Sequence, residues 1–161
     1  MALNPYARFV DGRDPLVVIA ETAAKLATVV QRIGPANLNT IPAPGKWSPR
    51  EVLCHLADTE LAFAFRLRQT LAEPHHVVQP FDQDQWAKPY AAIPAEAALA
   101  AFTAVRAWNL VLLGTVPAEA YSKPVSHPER GAMTFGMIVE TMAGHDLNHL
   151  SQLEAITGRA G

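Results

Sequence analysis

The sequence predicts an all-α chain, a four-helix bundle, on three observations. Four segments carry apolar residues at spacings of three and four, almost nothing reads as a strand, and one connection is long enough to run from one end of a bundle to the other. The first helix is expected to start at Asp14, a good N-cap, with Pro15 in its first position. Leu16, Ile19, Ala23, Leu26, Val30 and Ile33 then repeat at helical spacing until Gly34. The second has the most secure start, because Ser48 and Glu51 form a capping box, Pro49 follows the cap and Trp47 is placed to staple onto Val52. Its stripe of Val52, Leu56, Phe63, Leu67 and Leu71 runs to Pro74. A third helix is expected from about Pro94 to Val116 and a fourth from about Thr134 to Thr157, with Gly158 as its stop.

The connections are about 14 residues between helices one and two, about 17 between three and four, and about 21 from Glu73 to Ile93. A structureless loop of that last length is unusual unless it crosses the fold or serves a site, so it allows a long crossover between helices two and three. With 161 residues, 1–161 reads as a single domain able to bury its own core. Half the residues are hydrophobic, 17% are charged and the formal charge is -2, which argues against disorder and against an electrostatic grip on nucleic acid. No run approaches the roughly 20 apolar residues of a membrane span, and "MALNPYARFVDGRDP" lacks the basic-then-apolar order of a signal peptide. A cytoplasmic location without membrane or nucleic-acid partners is therefore expected. Cys54 is the single cysteine, so any metal is held by nitrogen and oxygen ligands.

"GHDLNHLSQ" holds the chemistry of interest. On the fourth helix Ile138, Met142, His145, His149, Leu153 and Ile156 share one face, so the two imidazoles point inward one turn apart. Two readings stay open from that spacing: two facial ligands for one ion, or two core histidines satisfied by hydrogen bonds. A third ligand would come from the other histidines. His75 and His76 beside Pro74, and His127 before Pro128, read as solvated loop residues. His55 lies two turns into the second helix, where it could face the fourth; alone it reads as a boundary histidine. The zincin pattern H-E-x-x-H fits poorly, because Asp146 takes the place of the glutamate. A di-iron carboxylate bundle fails, because Met142 and Asp146 stand where glutamates are needed.

Three pieces, "GKWSPREVLCHLADTE", "FDQDQWA" and "GHDLNHLSQLEAI", together resemble the DinB/YfiT-like superfamily, in particular its DinB-like metalloenzymes, over about residues 14 to 157. The resemblance implies a four-helix bundle with the crossover between helices two and three, commonly a homodimer. It also implies a divalent metal held by three histidines, which fall on His55, His145 and His149. Members include low-molecular-weight-thiol-dependent S-transferases and isomerases. Three neutral imidazoles suit zinc and nickel alike, leave the ion its full charge and leave a position open for water, thiol or substrate.

The expected function is thus a metal-dependent enzyme acting on a small molecule, first as a thiol-dependent S-transferase with a low-molecular-weight thiol as second cofactor. The alternatives are a metal-dependent hydrolase using a bound water, and a non-catalytic metal or small-ligand binding protein. Gln152, one turn past His149, and Asp58, within a turn of His55, are candidates to contact substrate or orient a ligand ring; Glu51 could also orient His55. Asp82, Asp84 and Trp86 could roof the site, or Trp86 could anchor the crossover. Cys54 reads as buried packing, since adjacent helical residues point about 100° apart. A homodimer is also expected from the residues, because the third helix is apolar around more than one face and Cys54, Leu61 and Phe65 form a second apolar line on helix two.

Overall fold

The computed structural model describes residues 4–157. Four long helices make a bundle: α2 (Pro15–Ile33), α3 (Pro49–Ala72), α5 (Ala95–Leu113) and α6 (Phe135–Thr157), with short helices α1 (Ala7–Val10) and α4 (Gln83–Ala87) outside it. The expected starts hold. Asp14 accepts the Leu16 N–H at 2.9 Å, and the Ser48 capping box closes with Ser48 N–H donating to Glu51 Oε2 at 2.8 Å and Glu51 N–H to Ser48 Oγ at 3.4 Å. Trp47 packs on the cluster that contains Val52. The position expected for the last stop, Gly158, lies outside the described residues.

α2 packs on α5 and α6, and α3 packs on the same two, so α2 lies diagonally across the core from α3, and α5 from α6. The core is divided. Toward one end Leu26, Val29, Ile33, Val52, Leu53, Leu56, Phe102, Leu150 and Leu153 form one apolar cluster; toward the other Ile19, Phe63, Leu67, Phe135, Ile138 and Met142 form a second. Between them the same four helices contribute buried Thr22, His55, Glu60, Arg106, Asn109, His145, Asp146 and His149. A polar layer therefore crosses the middle of the bundle.

The structure corrects three expectations. There is a small sheet, with β1 (His76–Val77) parallel to β2 (Pro124–His127) and β2 antiparallel to β3 (Gly131–Thr134), in place of loops. The crossover is not structureless, since β1, α4 and a 3-10 turn at Tyr90–Ala92 occupy it. And α5 is, by length and composition, one helix apolar enough to cross a membrane, although no such run was expected; only 28% of the stretch is buried. Its hydropathy comes from leucine and valine together with alanine, and its inner face carries Arg106 into the polar layer.

Candidate metal centre

The Ser48 cap sets the start of α3 and hence the angle at which His55 enters the polar layer, while the i, i+4 spacing on α6 brings His145 and His149 alongside. All three are buried. Their ring centroids lie 4.5 to 5.1 Å apart, His55 Nε2 is 3.0 Å from His145 Nε2, and one ligand nitrogen from each falls within 4.8 Å of the others. Two nitrogens on one tetrahedral ion at about 2.05 Å would sit about 3.3 Å apart, so the contact is close to chelation distance.

Hydrogen bonding leaves one of their ring nitrogens unsatisfied. His55 Nδ1 is buried with no partner among the described residues. His149 Nδ1 lies 3.0 Å from Gln152 Oε1. An amide oxygen accepts, so His149 carries its proton on Nδ1 and presents the Nε2 lone pair, the arrangement an orienting partner gives a metal-bound imidazole. Burial pushes the His55 pKa down to about 3, with His149 adding to the shift. Burial likewise holds His145 well below its ordinary value, reinforced by His149, His55 and Arg106, and lowers His149 despite Gln152 and Asp146 pulling upward. Near neutral pH the site is three uncharged nitrogen donors. The donor set fits a divalent ion.

Aromatic rings enclose it. Trp47 lies 4.9 Å from His55, Tyr6 meets His145 edge-on at 5.2 Å, and Phe63 is 6.0 Å from His145. Tyr6 reaches His145 because α1 lies against α6 at Gly144, where a Cβ would stand 2.6 Å from the Tyr6 carbonyl oxygen. A cavity of about 170 Å³ opens from His55 and His145, lined also by Thr59, Arg66, Phe81, Gln83, His127 and Arg130.

Behind the histidines a charged cluster fixes the layer. Arg106 donates to Glu60 through Nε at 3.0 Å and Nη2 at 2.7 Å, to Asp146 through Nη1 at 2.6 Å and Nη2 at 3.1 Å, and to the Ile19 carbonyl at 2.9 Å. Asn109 donates to Glu60 at 2.7 Å. Burial works against the Arg106 charge, but Asp146 and Glu60 outweigh it and raise its pKa. Asp146, the residue standing where a zincin has its general base, is therefore committed to Arg106.

Several candidates take other roles. Asp58 accepts the Tyr90 hydroxyl at 2.7 Å and Glu51 serves the helix cap, so neither orients His55. Asp82 caps α4 by accepting from Asp84 and Gln85 N–H. Trp86 stacks on Phe81 at 4.5 Å, and Phe81 and Gln83 cover the cavity in place of Asp82, Asp84 and Trp86. Cys54 is buried away from the triad, with burial raising its pKa to about 11. His76 and His127 are buried on the sheet, not solvated; His75 is exposed and touches Ser126. The sequence reading missed Tyr6, Arg66, His127, Arg130 and the Arg106 cluster. Only Arg106, a single charge in an apolar run, left a signal.

A sequence profile of the DinB superfamily matches residues 19–153, which includes all three histidines. The chain belongs to the DinB superfamily. A relative from Oceanobacillus iheyensis, provisionally named a metal-dependent hydrolase, is 29% identical over 125 residues, 76% of this chain and 72% of its own. One from Bacillus cereus strain B4264 with the same provisional name is 22% identical over 142 residues, 88% of this chain and 82% of its own. Among solved structures, YfiT from Bacillus subtilis, described as a probable metal-dependent hydrolase with an unusual four-helix bundle topology, superposes with a TM-score of 0.84 at 23% identity. The match covers 91% of this chain and 86% of that one. The DinB fold is thus common to this chain and YfiT.

Proposed function

We propose that this DinB-superfamily chain is a divalent-metal-dependent hydrolase whose ion is held by His55, His145 and His149. The observation that carries the reading is the convergence of three buried, neutral imidazoles, two of which, His55 and His145, line a cavity large enough for a small substrate. The names of the Oceanobacillus and Bacillus relatives support hydrolysis as the reaction class. When bound, a zinc- or nickel-like ion supplies a Lewis acid and lowers the pKa of a coordinated water or thiol toward neutrality.

The protein's own residues do the rest. Gln152 fixes the tautomer of His149, and Tyr6, Trp47 and Phe63 keep bulk water from the donors. The Arg106 cluster holds Asp146 off the site, so α6 presents nitrogen and no carboxylate to the ion. The relatives' names lend nothing to the S-transferase expected from the sequence, so hydrolysis takes its place as first reading. A purely binding role is disfavoured by the cavity at the open side of the triad.

The test is paired. The parent, stripped by chelator and reloaded with zinc or nickel, is expected to hold one ion per chain and to hydrolyse members of an ester and amide panel only when loaded. Alanine at His55, His145 or His149 should cut retained metal to about a tenth or less, because two imidazoles do not fix the ion, while His75→Ala should keep it. Equal metal in all four variants sinks the proposal. Turnover that requires an added small thiol would return the S-transferase reading.

A further inference from the structure

The cavity beside the triad has a chemical character that metal ligation does not explain. Two guanidinium groups line it, Arg66 from α3 and Arg130 from the turn between β2 and β3. Neither has a carboxylate within ion-pairing distance among the described residues, where the ion pairs are Lys25 with Glu21, His76 with Glu73, and Arg106 with Glu60 and Asp146. Arg66 spends one Nη2–H on the Gln79 carbonyl at 3.3 Å and lies over Phe81 at 5.6 Å. Arg130 Nε is buried with no partner. Glu129 also lines the cavity, but it is exposed and pairs with neither.

The contrast with Arg106 is instructive, because there the fold neutralises a buried guanidinium with two carboxylates. Two cations sharing a partly desolvated pocket repel each other and lose hydration, a cost that an incoming anion would remove. The cost is visible. Burial and then Arg130 lower the Arg66 pKa, and burial, Arg130 and Arg66 lower that of His127. His127 Nδ1 accepts the Glu129 backbone N–H at 3.2 Å, which leaves its proton on Nε2 as a third donor on the same wall.

We propose that Arg66 and Arg130 form an anion-recognition wall, so that the substrate taken at the triad carries a carboxylate or phosphate group. This rests on the metal-dependent reading above. The planar fork of arginine matches both kinds of group in bidentate fashion. Reach and volume limit the ligand further. The Phe63 centroid lies 6.0 Å from that of His145 and 6.0 Å from Arg66 Cζ, so about one aromatic ring separates the anion seat from the reacting end. About 170 Å³ corresponds to roughly five or six waters, which is room for a short anionic acyl group.

The probes are inorganic phosphate and acetate, titrated by NMR or calorimetry into metal-free protein, so that direct ligation to an ion does not contribute. Arg66→Gln and Arg130→Gln should each weaken binding of the preferred anion about ten- to a hundredfold, the range for a charge-assisted hydrogen bond in a desolvated pocket. Arg66→Lys, which keeps charge without the fork, should fall between parent and Arg66→Gln. Exposed Arg32→Gln should bind the anion as the parent does, and all arginine variants should retain parental metal content. Whichever probe binds more tightly identifies the group as phosphate or carboxylate. Anion affinity unchanged by both arginine substitutions overturns the wall and leaves the metal reading standing. A parent that takes up no metal overturns the metal reading, and the titration still decides the wall.

Discussion

At His55 the outcome is decided by burial. An imidazole in the unfolded chain titrates near pH ~6.5, whereas in the fold His55 stays neutral down to about 3 and His145 and His149 are lowered in the same sense. Below pH ~6.5 the unfolded chain therefore binds protons that the folded site refuses. Stability of the metal-free protein should be level above that pH and fall as pH drops from about 6.5 toward 3, by up to ~1.4 kcal/mol per pH unit for each histidine. Urea unfolding at pH 8, 6.5 and 5 measures this, and His55→Gln should flatten the slope; a parent equally stable at all three pH values would contradict it. At this scale the sequence was only partly legible. His145 and His149 share a face by spacing alone, but His55 needed the family resemblance because its partners lie 90 residues away. Arg66 and Arg130 were invisible, since nothing local says that a turn after β2 folds over α3.

Helix by helix, what could be read was whatever is decided within one turn. The Asp14 and Ser48 caps are local hydrogen bonds, and α2 and α3 begin where those residues stand. The sheet escaped because its strands are two to four residues long and hold only through pairing with each other. Arg106 read as a flaw in the apolar run of α5, yet it joins all four bundle helices through Glu60, Asp146 and the Ile19 carbonyl. Arg106→Met would leave two buried carboxylates side by side, at a cost on the order of 3 to 5 kcal/mol. Adding Glu60→Gln and Asp146→Asn should recover part of that loss. If the single variant unfolds at the parental urea concentration, the cluster contributes little to the fold.

For the whole molecule the open question is what covers α5. Trp108 and Val111 are 64% and 61% exposed, and Leu61 and Phe65 on neighbouring α3 are 51% and 55% exposed, while Cys54, expected on that line, is buried in the chain's own core. A second copy is the expected cover, so light scattering at micromolar concentration should give twice the 17.4 kDa chain mass, and Trp108→Glu should give monomer. A monomeric parent refutes this. One further consequence follows from the parallel pair in which His76 meets Val125 and Val77 meets Ser126. It joins the crossover, which brings Phe81 and Gln83, to the hairpin that brings His127 and Arg130, across nearly fifty residues of chain. Such closure is slow compared with helix formation, because the loop entropy is lost before the contact returns anything. In amide exchange, the Val78 N–H, bonded to the Ser126 carbonyl at 2.8 Å, should therefore exchange faster than amides in the middle of α3. Equal protection would mean that the two form as one unit. With the expected order, the chain is already a stable scaffold while its binding cleft is still assembling, and the cleft can loosen to admit or release a ligand without the scaffold unfolding.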